Sequence, residues 1–259
     1  MTRLEALAAL RGSYPILEPG HVWLVGAGPG DPGLLTLDAV AGLAQADVIL
    51  HDALIDRRVL ALADSQALEY VGKRSGQPSI KQADICNRLV ELASAGRRVV
   101  RLKGGDPFIF GRGGDEAIAL ASAGVPYRIV SGVTAGLAAL AAALIPATLR
   151  GVNQAVIFAA GHVNAEDDLD WAALARSGQP IVIYMAMRNM QHIVDALARG
   201  GLAPDTPAAV IMAATMAQER IVISSLDRLV NDVMAVGVEL PGLIVIGDIV
   251  AARDRLMQR

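Results

Sequence analysis

The chain has 259 residues, a formal net charge of −3, 53% hydrophobic residues and only 19% charged ones. That length builds a large core in one or two domains and excludes extensive disorder. The slightly acidic balance excludes a general binder of nucleic acid or anionic membranes and leaves room for local basic patches.

Residues 1–20 read as a short helical extension ending at Glu18-Pro19-Gly20, with no signal-peptide core. Val22-Trp23-Leu24-Val25 is a continuous apolar strand of the kind buried on both faces. A Gly/Pro loop follows, then a helix over 36–45. Residues 47–51 form the next strand, which Asp52 ends; 55–63 form a short helix and 68–71 a strand. Gln82 to Ala95 is a helix with Ile85, Leu89 and Leu92 on one face and Gly96 as its stop. The only cysteine, Cys86, lies in this pattern as a small core residue and excludes an intrachain disulfide. A strand over 98–102, a helix over 115–123, a strand over 127–130 and a helix over 134–143 complete an alternation that argues for a mainly parallel sheet.

The apolar stretch from Val130 to Leu149 approaches a membrane span in length. Its Ala/Gly composition and Pro146 make it a buried helix packed by small residues. After Pro146 the rhythm restarts, with strands at 155–159, 181–185, 208–213, 220–224 and 243–246 and helices at 190–198 and 226–236. The strands at 208–213 and 220–224 are too close for a crossover helix and form a hairpin. The fold class is therefore α/β, with a short extension (1–20), a mainly parallel N-terminal domain (21–146) and a mixed-sheet C-terminal domain (147–259).

Gly26-Ala27-Gly28-Pro29-Gly30-Asp31-Pro32-Gly33 follows the first strand where a dinucleotide fold would place G-x-G-x-x-G. Asp31 occupies the third glycine position, and Pro29 and Pro32 remove N–H donors that a pyrophosphate needs. A neutral or cationic ligand held by carbonyls and shape fits better than a nucleotide phosphate. Asp52 stands at a strand tip where open α/β sheets bind ligands, and is also a natural helix cap. Lys73, Arg74, Arg112 and Arg150 are cations in Gly-rich or apolar settings that suit a small polyanion. The run Arg101-Leu102-Lys103-Gly104-Gly105-Asp106-Pro107-Phe108-Ile109-Phe110-Gly111-Arg112-Gly113-Gly114-Asp115-Glu116 brings glycines, acids and cations to a strand end, which points to a ligand-facing loop. Ser131-Gly132-Val133-Thr134 is a strand-to-helix turn with a plausible Thr cap. His162, Met185 and Met187 lie at strand ends of the second domain. The four histidines lack metal-ligand spacing.

Three of these segments resemble signatures of the tetrapyrrole methylase family, within it the uroporphyrinogen-III C-methyltransferases. They are Val22 to Thr36, Val71-Gly72-Lys73-Arg74 with Gln82 and Ile85, and the run from Arg101 to Glu116. The resemblance spans about residues 21–252. It implies two α/β domains with the active site in the cleft between them, a homodimer and a cytoplasmic enzyme. The implied reaction moves methyl groups from S-adenosylmethionine, leaving S-adenosylhomocysteine, to two ring carbons of uroporphyrinogen III. The product, precorrin-2, feeds cobalamin and sirohaem synthesis; no metal takes part.

By motif, Pro29, Gly104, Gly105, Asp106, Ile109, Thr134, Ala135, Met185 and Ala214 correspond to methyl-donor contacts. Asp52 corresponds to a proton acceptor and Lys73 to a proton donor. Arg112 corresponds to a residue that grips the tetrapyrrole and helps move its proton. Arg150, His162 and Met187 are further candidates for tetrapyrrole contact. The substrate's eight carboxylates account for local cations on an acidic chain. Departures from the family pattern are Asp115 for a glutamate, Ser131 for a proline, Leu149 for a histidine and Ala214 for a glycine; they bear on substrate grip. A sibling methylase acting later on precorrin intermediates is the alternative. With no sequence for a fused dehydrogenase–chelatase domain, a stand-alone enzyme is expected.

Overall fold

The structure is a computed structural model that describes residues 14–63, 67–72, 80–162, 169–237 and 241–258. The expected helix in the N-terminal extension falls largely outside those residues, as do Lys73 and Arg74. The chain divides into two compact units, Met1–Thr134 and Ala135–Arg259.

The first unit is built on five parallel strands: β1 (Val22–Gly26), β2 (Val48–His51), β3 (Leu68–Tyr70), β4 (Val99–Lys103) and β5 (Tyr127–Val130). Their order across the sheet is β3-β2-β4-β1-β5, with every pairing parallel. β1 and β4 are buried along their whole length, which is why β1 is an unbroken apolar run. The helices are α1 (Leu37–Gln45), α2 (Arg57–Leu60), α3 (Gln82–Ser94) and α4 (Gly113–Ser122). Ala39 and Leu43 of α1 and Val59 of α2 pack with Trp23, Val25, Ile49, Val100 and Leu102. Ile85, Leu89 and Leu92 of α3, with Ala117 and Leu120 of α4, pack with Val22, Leu24, Leu50 and Val99. Alternate strand residues thus feed cores on opposite faces.

Local chemistry sets the helix ends. The Thr36 hydroxyl accepts the Ala39 N–H at 3.2 Å and starts α1. Gly96, at φ +76°, ends α3 in the left-handed conformation that glycine adopts freely. Arg112, at φ +58°, precedes α4, which starts at Gly113 rather than near Asp115. A Cβ on Gly113 would sit 2.3 Å from the Pro107 carbonyl oxygen, so the close approach requires glycine inside the helix despite its poor helix propensity.

The second unit opens with α5 (Ala135–Ala142), the small-residue helix expected between Val130 and Leu149. It continues with β6 (Ile157–Ala160), α6 (Trp171–Arg176), β7 (Ile181–Tyr184), α7 (Met190–Arg199), β8 (Pro207–Met212), β9 (Arg220–Ser225), α8 (Leu229–Val236), β10 (Gly242–Ile246) and α9 (Ala252–Met257). The sheet order is β6-β7-β10-β8-β9. Only β6 and β7 pair in parallel, so the sheet is mixed, and β8 and β9 form the expected hairpin. Ile181, Ile183, Val210 and Ile244 form its core with Ile193 and Leu197 of α7 and Leu229 and Val233 of α8. Sequence periodicity did not reveal α6 or α9, each six residues long and so short of two helical turns.

Candidate functional site

Connections from β1 and β4, adjacent in the sheet, leave in opposite directions, toward β2 and β5. That is the switch point at which open parallel sheets hold ligands, beyond the carboxyl ends of the strands. The loops there are the two most unusual segments in the sequence.

They are locked together by backbone. Gly28 and Gly105 form an isolated antiparallel bridge: the Gly28 N–H donates to the Gly105 carbonyl at 3.2 Å and the Gly105 N–H to the Gly28 carbonyl at 2.7 Å. The Ala27 N–H donates to the Lys103 carbonyl at 2.7 Å. Gly132, just beyond β5, joins them. A Cβ on Gly26 would lie 2.6 Å from both the Gly105 oxygen and the Gly132 nitrogen, and one on Gly132 would lie 2.3 Å from the Gly105 oxygen. Three strand tips meet with no room for a side chain.

Asp106 ties the arrangement off. Its Oδ1 accepts the Phe108 N–H at 2.8 Å and its Oδ2 the Gly132 N–H at 3.1 Å. Asp31, where a dinucleotide loop would have glycine, accepts the Gly33 N–H at 2.9 Å and caps a 3-10 turn over Pro32–Leu34. Pro29, Gly104 and Ile109 are half-buried beside the bridge segment. Phe108 and Phe110 are exposed, and Phe110 has φ +52°. Arg112 is exposed, and its Nε donates to Asp115 Oδ2 at 2.8 Å. An ion pair so open to water contributes little to stability.

Asp52 lies at the end of β2 with both carboxylate oxygens engaged. Oδ1 accepts the Leu54 N–H at 3.0 Å, and Oδ2 faces Arg101 Nη2 at 3.5 Å. Arg101 is part of a buried group that the sequence reading did not assign. Arg101 and Lys103 are each 3% exposed and Glu116 is fully buried. Glu116 Oε1 accepts from Arg101 Nε at 3.0 Å, Lys103 Nζ at 3.1 Å and Gln82 Nε2 at 3.1 Å. Burial, and then the Arg101 guanidinium, push the Lys103 ammonium down from the usual lysine range, against the opposing pull of Glu116. The available signal was two cations alternating along a central parallel strand, where apolar residues are expected. Cys86 is buried as expected, and burial pushes its thiol up, away from reactivity.

In the second unit, β6, β7 and β8 run in one direction, so their carboxyl ends share one edge of the sheet. His162 is exposed just after β6, Met185 follows β7 and Ala214 follows β8. Met185 is half-exposed with φ +55°, and Ala213 and Thr215 have φ +45° and +66° around buried Ala214. Left-handed backbone at non-glycine residues is costly and concentrates at functional sites. Glu219 Oε2 accepts the Thr215 N–H at 2.7 Å and holds that turn. Met187 reaches the same edge, its sulfur within 3.1 Å of where a Gly242 Cβ would stand. The Tyr184 hydroxyl accepts the Gly136 N–H at 2.9 Å, fixing the first turn of α5 beside Ala135. Thr134, the last residue of the first unit, is buried. Arg150 sits in an exposed turn ahead of β6 rather than at a strand end.

The structure therefore places Pro29, Asp52, Gly104, Gly105 and Asp106 just beyond strand ends of the first sheet, with Ile109 further along the β4–α4 connection and Arg112 at the start of α4. It gathers Met185, Met187, Ala214 and His162 at one edge of the second. Among the described residues no group of three or more His, Cys, Asp or Glu side chains could hold a metal ion. Among them, no helix is long and apolar enough to cross a membrane.

Residues 21–230 match the family of Tetrapyrrole (Corrin/Porphyrin) Methylases. A uroporphyrinogen-III C-methyltransferase from Sinorhizobium sp is 52% identical over 251 residues, covering 95% of this chain and 90% of the relative. A siroheme synthase from Methylococcus capsulatus is 44% identical over 257 residues; the chain spans 54% of that longer protein. The crystal structure of uroporphyrin-III C-methyl transferase from Thermus thermophilus complexed with S-adenyl homocysteine matches with a TM-score of 0.78. It is 39% identical, over 90% of this chain and 99% of that one. A cobalt precorrin-4 methyltransferase matches with a TM-score of 0.79 at 27% identity, over 89% of this chain and 96% of that one.

Proposed function

We propose a function from the premise that the chain belongs to the tetrapyrrole methylase family: it is an S-adenosylmethionine-dependent methyltransferase that places two methyl groups on uroporphyrinogen III, giving precorrin-2. The observation that carries this reading is the Gly28–Gly105 bridge at the β1/β4 switch point. It forms a close-packed backbone surface with proline where a phosphate would need N–H donors. Such a surface suits a donor with a cationic sulfonium and no phosphate.

S-adenosylmethionine supplies an electrophilic methyl group. The chain's part is placement and proton management, and orientation alone can lower such a barrier by several kcal/mol, roughly 7–11 in the best intramolecular cases. We assign Pro29, Gly104, Gly105, Asp106 and Ile109 to donor contact in the first unit, ending at Thr134. In the second unit we assign Ala135, Met185 and Ala214 to it. Methylation of a neutral pyrrole carbon leaves a cationic adduct, which regains neutrality by losing one proton from a neighbouring carbon. Asp52 is assigned as the group that accepts it, Lys73 as the proton donor, and Arg112 as the cation that grips substrate carboxylates and assists proton movement. Arg150, His162 and Met187 are assigned to tetrapyrrole contact. The reading includes a cytoplasmic homodimer.

The experiment offers the purified protein uroporphyrinogen III and, separately, precorrin-2, each with S-adenosylmethionine. Consumption of the first and not the second is expected. Methylation of precorrin-2 alone would make it a later-acting sibling.

A further inference from the structure

The buried trio of Arg101, Lys103 and Glu116 has no part in the roles assigned so far. Arg101 and Lys103 project from β4 on the face that bears Val99, toward α3 and α4, which supply Gln82 and Glu116. One oxygen of Glu116 accepts all three hydrogen bonds, while Oε2 is buried with no hydrogen-bond partner among the described residues. An unsatisfied buried oxygen is costly and calls for an explanation. Burying two cations with one carboxylate is costlier still. The trio carries one surplus positive charge, and the carboxylate facing it is Asp52. Every nitrogen of Arg101 is engaged: Nε with Glu116, Nη1 with the Leu102 and Leu50 carbonyls at 3.1 and 3.4 Å, and Nη2 with Asp52.

We propose that Glu116 is a positioning residue for Asp52: it holds Arg101 Nε and neutralises Lys103, so that the Nη2 edge of Arg101 is aimed at the Asp52 carboxylate. The inference rests on the assignment of Asp52 as proton acceptor. Without the Glu116 charge, Arg101 Nε loses its charged acceptor and Lys103 loses the partner that offsets its burial, so nothing fixes the angle at which the Arg101 guanidinium meets Asp52. The donor-binding turn does not depend on this trio, because backbone bonds from Gly28 and Ala27 and the Asp106 side chain hold it.

The test is a double-mutant cycle on the full chain, with kcat and KM for uroporphyrinogen III and the affinity for S-adenosylhomocysteine measured on folded protein. Glu116→Gln should lower kcat roughly ten- to hundredfold, a part of the roughly 10²–10⁴-fold that a positioned acid–base group supplies. The KM and the S-adenosylhomocysteine affinity should stay within about twofold. In an Asp52→Asn background the same change should cost less than about threefold, because Glu116 acts through Asp52. A full-sized loss in that background, a loss of donor affinity in step with kcat, or an unchanged kcat in Glu116→Gln would overturn the proposal. If Glu116→Gln does not fold, Glu116→Gln/Lys103→Met restores the single surplus charge at similar volume. With Arg101 Nε left on a neutral acceptor, that variant's kcat should fall at least about tenfold while KM and S-adenosylhomocysteine affinity stay within about twofold, and a folded variant with the parent's kcat would overturn the proposal. An inactive parent protein would refute the functional reading itself, and an unaffected Asp52→Asn would refute the role of Asp52.

Discussion

The Gly132 backbone N–H donates to Asp106 Oδ2 at 3.1 Å, so one carboxylate bonds across from the turn after β4 to the tip of β5. The other oxygen accepts the Phe108 N–H. Asp106 therefore shapes the proposed donor surface even before any ligand contact. Asp106→Ala frees both N–H groups: the exposed Phe108 one turns to water, while the part-buried Gly132 one costs up to about 1–3 kcal/mol if left unpaired. S-adenosylhomocysteine affinity should fall at least about tenfold by calorimetry, with Asp106→Asn falling between. Unchanged affinity in Asp106→Ala would remove Asp106 from the site.

Gly132 has no space for a side chain. A Cβ there would lie 2.3 Å from the Gly105 oxygen, an atom of the backbone bridge rather than a movable side chain. Gly132→Ala should destabilise the protein by about 1–3 kcal/mol, the cost of overpacking, and weaken S-adenosylhomocysteine binding by spreading the strand tips. The reference is Gly114→Ala, where no atom lies within 4 Å of the added carbon. Thermal melts and calorimetry on both variants check this, and equal behaviour of the two would contradict it.

Tyr184 anchors the first turn of α5 through the Gly136 N–H at 2.9 Å, in a buried setting. Tyr184→Phe leaves that N–H without its acceptor and should cost about 1–3 kcal/mol of stability in denaturant melts. If Ala135 touches the donor, S-adenosylhomocysteine affinity falls as well; a stability loss with no change in affinity would place Ala135 outside the site.

Asp47 predicts an acid-sensitive contribution away from the site. Its hydrogen bonds from the Arg98 side chain and backbone hold its carboxyl at about 2, below the ordinary 3.8. A depressed carboxylate stabilises the fold above the unfolded value, and that stabilisation is lost as pH falls from about 4 through 2. Asp47→Asn should therefore be less stable than the parent at pH 7, with the difference closing by about pH 2. A gap that stays constant across that range in pH-dependent melts would contradict the assignment.

The sheet of the first unit was legible because β1 and the β4 residues Val99-Val100 are apolar runs with glycine at their ends, as strands buried on both faces require. The meeting of the two glycine loops was legible for a related reason: Gly28 and Gly105 stand just beyond strand ends, where backbone must approach backbone. The charge cluster was not. Arg101, Lys103 and Glu116 were visible, but pattern reading places such residues at the surface, and only tertiary packing buries them against one another. The start of α4 was misplaced because Gly113 and Gly114 are poor helix formers, and the need for close approach to Pro107 overrides propensity. Lys73 lies outside the described residues, so its assignment rests on the sequence motif.

The most direct measurement of the central claim is the number of methyl groups gained by uroporphyrinogen III in an anaerobic incubation with S-adenosylmethionine carrying a labelled methyl. The account predicts that mass spectrometry finds a transient singly methylated species and then a product with two labelled methyl groups, one S-adenosylhomocysteine appearing for each. A folded protein that binds S-adenosylhomocysteine yet adds no methyl to uroporphyrinogen III would contradict it.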